Sequence, residues 1–188
     1  MRLTAPRIAP LDLNTLDEEQ KDALAPFLGT GRVLNIFRTM ARAPKALASF
    51  LSWGGYILSK RNSLTPRDRE LAILRTGFNC KSGYEWTQHV PIGIDAGLTD
   101  TEVERIKGGP EAAGWDARDR AILREVDDLT GNFFVSGNSW AGLDFFTERQ
   151  KMDLVFTVGQ YTQVSMLLNS FGVQLDEGQT LDPALKGF

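Results

Sequence analysis

The sequence predicts an all-α protein, and three observations support this prediction. Apolar residues recur at helical spacing in several segments, and no segment alternates apolar and polar residues over the length of a strand. Thr, Asp, Pro and Gly stand where helices would begin and end. With 188 residues, the chain is long enough for one domain with its own hydrophobic core.

The N-terminal third predicts an extended arm followed by three helices. Residues 1–16 carry two prolines and favour an extended conformation, because proline lacks the backbone N–H that a helix interior needs. Helical patterns follow over residues 17–27, 33–42 and 46–60. Gly29 and Pro44 separate these three patterns.

The middle and C-terminal parts predict five further helices. Thr65-Pro66 is a strong start signal, because Thr caps the free N–H groups and Pro suits the first helical position. The predicted helices cover residues 66–79, 82–96, 99–108, 116–131 and 147–170. A Gly/Asn/Ser-rich stretch before the last helix is expected to be a loop.

The last predicted helix is apolar around most of its circumference. Met152, Phe156 and Met166 lie on one side, while Leu154 and Val158 lie on another. A helix of this kind is buried on most faces, so part of its surface is expected to contact another subunit. We therefore expect a homo-oligomer.

Composition excludes several classes of function. The net charge of −3 argues against a nucleic-acid partner, because such proteins are usually basic. The single cysteine, Cys80, excludes an intrachain disulfide and favours a reducing compartment. Since no signal peptide and no membrane-spanning apolar run are visible, we expect a cytoplasmic protein without a membrane partner.

Three ionisable residues form the candidate catalytic cluster. His89 is the only histidine, and Glu85 lies four residues before it on the same helical face. Glu70 lies on an apolar stripe of the preceding helix, and an antiparallel pairing of the two helices would bring it close to both. The pattern fits an acid–base cluster that relays protons, and equally a buried hydrogen-bond network that locks the two helices together.

Other groups near this cluster have more limited roles in the prediction. A metal site is not expected, since no second histidine exists to complete a ligand set. Tyr84 and Trp86 are candidate walls of an aromatic substrate pocket. A negatively charged substrate would need a cation, for which Arg38 and Arg75 are equal candidates.

The motifs of this chain resemble the carboxymuconolactone decarboxylase family, which shares a superfamily with the alkyl hydroperoxidase D proteins. The resemblance is carried by Arg69-Glu70-Leu-Ala-Ile-Leu-Arg75 and by Gly83-Tyr84-Glu85-Trp86-x-x-His89. It covers residues 30–175, leaving 1–29 as an arm and first helix and 176–188 as a tail. It implies an all-α fold of about seven to eight helices, assembled as a homo-trimer or homo-hexamer.

The resemblance also assigns the site residues. The peroxidase branch uses a Cys-x-x-Cys-x-x-x-His motif together with a glutamate on the preceding helix. In this chain the glutamate corresponds to Glu70 and the histidine of the motif corresponds to His89. The two cysteine positions are occupied by Ser82 and Glu85, so dithiol peroxidase chemistry is not expected. Ser82 is a further candidate residue of the substrate pocket.

The decarboxylase branch needs no cysteine and no known cofactor, and acts on a carboxylated lactone from aromatic-ring catabolism. We accordingly expect a cofactor-independent acid–base enzyme of the lyase type for a small cyclic organic acid or lactone. Glu70, Glu85 and His89 are its expected catalytic residues, with Glu85 setting the tautomer of His89. Two alternatives stay open: a peroxide-linked oxidoreductase that uses Cys80 alone, and a helical oligomer that binds a small ligand without converting it.

Overall fold

The chain folds into α-helices whose order follows the sequence prediction. The computed structural model describes residues 1–187, which contain nine α-helices, two single-turn 3₁₀ helices and no β-strand. The helices are α1 (Glu18–Leu28), α2 (Asn35–Met40), α3 (Pro44–Ile57), α4 (Pro66–Asn79), α5 (Gly83–Asp95), α6 (Asp100–Lys107), α7 (Ala117–Asn132), α8 (Gly137–Ala141) and α9 (Glu148–Phe171). The all-α prediction is confirmed.

Capping side chains fix the predicted helix starts. The Thr65 hydroxyl accepts a hydrogen bond from the Asp68 N–H at 3.1 Å, and Pro66 occupies the first turn of α4. At α9, Thr147 and Gln150 satisfy each other's backbone N–H groups in a capping box. Such caps contribute about 1 kcal/mol each, so these starts are determined locally.

Three helix assignments differ from the sequence prediction by two residues or more. Helix α2 covers Asn35–Met40 rather than residues 33–42. Helix α8 spans only five residues of the expected loop, too few to show a helical apolar pattern, and Ser136 caps it by accepting from the Ser139 N–H. Helix α3 begins at Pro44 rather than at residue 46, because proline fits the first helical position instead of interrupting the helix.

Helix α4 is the centre of the fold and packs against α5, α7 and α9. Its Leu71 and Ile73 side chains have no exposed surface. The α4–α5 pair is antiparallel, because residues early in α4 meet residues late in α5 and the reverse. A Cβ placed at Gly93 would lie 3.7 Å from Glu70 Cβ, and one at Gly77 would lie 2.7 Å from Glu85 Oε1. The pairing that would bring Glu70 toward α5 is therefore present.

The N-terminal region packs beside this centre. The arm runs along the end of α9, where the Arg7 N–H donates to the Phe171 carbonyl at 2.9 Å. Leu24 and Leu47 are fully buried in a second core formed by the segments before α4. These segments cover one side of the space between α3, α5 and α9. The C-terminal tail is described as far as residue 187, so its predicted last residue, Phe188, lies outside the described residues.

Helix α9 is buried on one side and exposed on the other. Leu154 and Val158 are buried, whereas Met152, Phe156 and Met166 are 54%, 37% and 57% exposed. The apolar stripe predicted for a subunit contact is thus the solvent-facing side of the single chain. Within residues 1–187, no helix combines the length and the hydropathy that a membrane span requires.

Candidate active site

The α4–α5 hairpin brings Glu70 and His89 into direct contact. The Nδ1 atom of His89 lies 2.7 Å from Oε2 of Glu70, and both side chains are buried, with exposures of 8% and 1% for the two residues. A separation of this length between imidazole and carboxylate is a charge-assisted hydrogen bond. The two residues therefore form a carboxylate–imidazole dyad.

This hydrogen bond decides which ring nitrogen of His89 is available. A carboxylate accepts, so Nδ1 carries the proton that Glu70 binds, and the lone pair of a neutral ring lies on Nε2. Nε2 has no hydrogen-bond partner among residues 1–187, and the ring lines a cavity. The dyad thus presents a proton acceptor to whatever occupies the cavity.

Glu85 is turned away from His89 toward α9. Its Oε2 accepts a hydrogen bond from the Ser165 hydroxyl at 2.8 Å, while Oε1 lies against Gly77 without a hydrogen-bond partner. Burial raises the pKa of Glu85 well above its ordinary value, the Ser165 hydrogen bond opposes this, and the charge of Glu70 raises it further. Burial therefore favours the neutral carboxylic acid form of Glu85 relative to an exposed glutamate.

The partner of His89 thus differs from the one that spacing suggested. Glu85 lies one helical turn from His89, but the hydrogen bond of the imidazole goes to Glu70 on the neighbouring helix. The physical reason is the Ser165 hydroxyl, which holds the Glu85 side chain on the α9 side. Glu70 rather than Glu85 fixes the tautomer of His89.

Tyr161 completes the cluster from α9. Its ring meets the His89 ring edge-on, with centroids 4.9 Å apart and planes at 88°. Burial raises the pKa of the Tyr161 hydroxyl well above its ordinary value, and the charges of Glu70 and Glu85 add to this. The hydroxyl therefore stays protonated. Separately, the edge-on contact of the Tyr161 ring orients the imidazole of His89.

A largely apolar cavity of about 350 Å³ lies against His89. A volume of this size suits a small organic ligand. Leu58 and Ile92 are 47% and 44% exposed and stand at its mouth. The lining residues are Phe27, Leu34, Ile36, Phe37, Phe50, Leu51, Gly54, Gly55, Leu58, Tyr84, Glu85, Gln88, His89, Ile92, Gln160, Tyr161, Val164 and Leu168.

Of the three predicted pocket residues, the structure places only Tyr84 in the cavity wall. Its hydroxyl donates to Asp176 Oδ2 at 2.6 Å. Trp86 lies instead in the main core against Phe78, because it faces the opposite side of α5. Ser82 is fully buried at the start of α5 and is not part of the lining.

The two arginines considered for a substrate carboxylate are engaged elsewhere. Arg75 binds Asp127 through Nε and Nη2 at 2.6 and 2.9 Å. Arg38 donates to the Leu11 carbonyl at 2.9 Å and to Asn35. Neither lines the cavity. The nearest guanidinium to the dyad is Arg69, whose Nε lies 3.8 Å from Glu70 Oε1, and it is not a lining residue either.

Cys80 does not line the cavity of the dyad. It lines a second cleft of about 450 Å³ with Arg2, Thr162 and Ser165, among others. Burial raises the pKa of the Cys80 thiol, and the neighbouring Glu85 raises it further. The thiolate that peroxide chemistry requires is therefore disfavoured at this position.

No group of three or more His, Cys, Asp and Glu side chains that could hold a metal ion occurs within residues 1–187. The polar character of the site rests on the dyad and on a few neutral groups.

The residues that sequence reasoning missed come mainly from α9. Tyr161 and Gln160 line the cavity, whereas the apolar pattern of their helix predicts only burial and a subunit contact. The available signal was Gln160 itself, because an amide within a helix that is apolar nearly all round needs a reason to be buried.

Comparison with known proteins agrees with this fold. Residues 44–128 match the model of the carboxymuconolactone decarboxylase family. No curated protein sequence matches the chain significantly. The family resemblance carried by the motifs is confirmed.

Among solved structures, an uncharacterised peroxidase-related protein with an alkylhydroperoxidase AhpD core from Ralstonia eutropha is 18% identical, with a TM-score of 0.78 over 92% of this chain and 93% of that one. An uncharacterised peroxidase-related protein from Silicibacter sp. is 17% identical, with a TM-score of 0.76 over 93% and 95%. The debrominase Bmp8 bound to 2,3,4-tribromopyrrole is 14% identical, with a TM-score of 0.74 over 97% and 95%. At these identities the likeness concerns the fold.

Proposed function

We propose, from the match of residues 44–128 to the model of the carboxymuconolactone decarboxylase family, that the protein is a cofactor-independent acid–base enzyme for a small cyclic organic acid or lactone. The observation that carries the proposal is the 2.7 Å hydrogen bond between Glu70 and His89 at the wall of a largely apolar cavity. The decarboxylase or lyase type of reaction follows from the family and is part of the proposal.

In this proposal His89 moves the proton and Glu70 holds the imidazole. Nε2 takes a proton from the bound ring compound, and the imidazolium that results is stabilised by the Glu70 carboxylate. In a decarboxylation this proton comes from the carboxyl group, the bond to that group breaks with release of CO2, and the imidazolium returns the proton to the ring carbon that keeps the electron pair. In the isomerisation of a neutral lactone, the imidazolium returns the proton to another atom of the ring. Positioned acid–base groups of this kind accelerate reactions by about 10² to 10⁴-fold. The apolar walls strengthen each of these electrostatic interactions.

Glu85 has a supporting role in this scheme. Burial favours the neutral form of this carboxyl, and in that form the charge of Glu70 is the one that the imidazolium of His89 matches. Two neighbouring carboxyls with different protonation states are a recurring basis for acid–base chemistry. Ser165 keeps the neutral acid in place.

The proposal is tested by screening lactones and cyclic acids for conversion by mass spectrometry, with the wild type and three variants. His89→Gln and Glu70→Gln should each lower turnover by at least about a hundredfold, and Glu85→Gln should lower it less. Glu104→Gln, an exposed residue on α6, is the matched control and should behave as wild type. Conversion that persists in the His89 variant would contradict the proposal.

The two alternatives are distinguished by other observations. A peroxide-linked oxidoreductase would depend on Cys80, which lies outside the cavity and whose thiol pKa is raised. A protein that only binds a ligand would return every compound of the screen chemically unchanged.

We also propose that the chain assembles as a homo-trimer or homo-hexamer. The support is the exposed apolar side of α9 with Trp53, whose ring meets Phe156 at 5.5 Å between centroids. Continuous exposed apolar surface of this kind is typical of an interface. Sedimentation equilibrium with wild type and Phe156→Glu is the test, and a monomeric wild type would refute it.

A further inference from the structure

Gln160 is a buried polar side chain without a partner in the cavity wall. It is 5% exposed, and its amide makes no hydrogen bond to any of residues 1–187. Three other buried polar residues of α9 have partners within the protein: Asp153 accepts from Ser63, Thr157 donates to a backbone carbonyl, and Ser165 donates to Glu85. An amide on a cavity wall without a partner in the protein is available for a hydrogen bond to a ligand or to water.

The position of the amide points to the contents of the cavity. A Cβ built on Gly54 of α3 would lie 3.9 Å from Gln160 Nε2, so the amide reaches across to the glycine pair that forms the opposite wall. The next residue, Tyr161, contacts the ring of His89. A molecule bonded to the Gln160 amide would therefore lie in the same cavity as the proton acceptor of the dyad.

The other polar groups of the wall have partners within the protein. The Tyr84 hydroxyl and the Gln88 amide both donate to Asp176, at 2.6 and 2.7 Å. Glu85 accepts from Ser165, and His89 is bonded to Glu70 through Nδ1. The groups left for a ligand are the Gln160 amide, the Tyr161 hydroxyl and Nε2 of His89.

The cavity offers no positive charge to an anion. No lysine or arginine among residues 1–187 is part of its lining. A carboxylate that entered would lose its hydration next to apolar walls, and no lysine or arginine of the lining would compensate for that loss. The lining therefore disfavours charged acids.

We propose that the cavity binds an uncharged ring compound with one carbonyl or hydroxyl oxygen, and that the Gln160 amide positions this oxygen beside His89. This inference rests on the proposed function for its substrate class. It narrows that class from acids and lactones to the lactones and other neutral rings, and it leaves isomerisation rather than decarboxylation of a bound carboxylate as the reaction. Gln160 is a positioning residue in this scheme, since it holds the ligand while His89 moves the proton.

Binding of three probes to the oligomer as purified tests the proposal. Coumarin is a neutral lactone, coumarin-3-carboxylate carries a negative charge at pH 7.5, and the methyl ester of that acid is neutral but slightly larger. Saturation-transfer NMR and calorimetry should show that coumarin and the ester bind, and that the carboxylate binds about a hundredfold more weakly. A carboxylate that binds as tightly as the ester, or neutral probes that do not bind at millimolar concentration, would overturn the proposal.

Two variants separate the amide from a general effect of substitution. Gln160→Leu keeps the approximate volume and should weaken coumarin binding about tenfold, whereas Glu104→Leu on the exposed side of α6 should leave it unchanged. Thermal melts of both variants check that the fold is kept. A Gln160→Leu variant that is folded and binds coumarin as well as wild type would exclude the role of the amide.

These measurements do not depend on turnover. If the proposed acid–base function is wrong, no probe or substrate is converted, yet the preference for neutral rings and its loss in Gln160→Leu remain measurable. If only the present inference is wrong, the His89-dependent conversion remains but falls on charged acids.

Discussion

Glu125 on α7 is a fully buried carboxyl with no hydrogen-bond partner on either oxygen within the described chain. Burial raises its pKa from 4.5 to about 7; the Lys151 charge opposes this rise and the Asp128 charge adds to it. A carboxyl whose pKa is raised in the folded state binds its proton more tightly there than in the unfolded chain. Its contribution to stability is therefore present below pH 4.5 and is lost as the pH rises toward 7.

The size of this loss follows from the two pKa values. Between them the free energy of unfolding falls by about 1.4 kcal/mol for each pH unit. From pH 5 to pH 8 the wild type should lose about 2 to 3 kcal/mol through Glu125. Glu125→Gln removes the titrating group. The free energy of unfolding of the variant, relative to that of wild type, should therefore rise by about 2 to 3 kcal/mol from pH 5 to pH 8. A constant effect of the amide on stability cancels in this comparison of two pH values.

Urea unfolding at pH 5 and pH 8, at equal protein concentration, measures the difference between wild type and Glu125→Gln. Glu19→Gln, on the exposed side of α1, is the control, and its free energy of unfolding should equal that of wild type at both pH values. An unfolding free-energy difference between wild type and Glu125→Gln that is the same at both pH values would show that Glu125 titrates normally, and would refute the reasoning from burial.

Three further outcomes follow from the site. Because His89 is the only histidine, ¹⁵N NMR should show a single imidazole with its proton on Nδ1 in wild type, and Glu70→Gln should shift this toward a tautomer mixture; an unchanged spectrum would contradict the dyad. Gly77→Ala places a Cβ 2.7 Å from Glu85 Oε1 and should lower the free energy of unfolding by about 1 to 3 kcal/mol, which urea melts would show. Cys80→Ser should leave conversion of a lactone substrate unchanged in the mass-spectrometric screen, and a loss there would favour the peroxide-linked alternative.

Much of the fold was predictable because its signals are local. Thr65 with Pro66, and Thr147 with Gln150, fix helix starts through groups within three residues of each other. Helix α8 was not predictable by the same route, because its five residues contain no apolar period. Interactions between residues within one helical turn, such as these caps, can be predicted from the sequence.

The candidate site was predictable only in part, because its geometry depends on three helices. Helical spacing identified Glu70, Glu85 and His89 as neighbours, and the hairpin does bring Glu70 to His89. The choice between the two glutamates depends on the Ser165 hydroxyl, 80 residues from Glu85 in the chain. A contact of that range has no periodic signature, and the same holds for Gln160 in the opposite wall.

The cavity wall is drawn from separate stretches of the chain. Glu70 and His89 lie on α4 and α5, whereas Phe27 and Phe37 come from α1 and α2. Substitutions in the first 43 residues can therefore reshape the cavity while the hydrogen bond between Glu70 and His89 is kept. The dyad and this part of the ligand-contacting surface can thus be engineered separately.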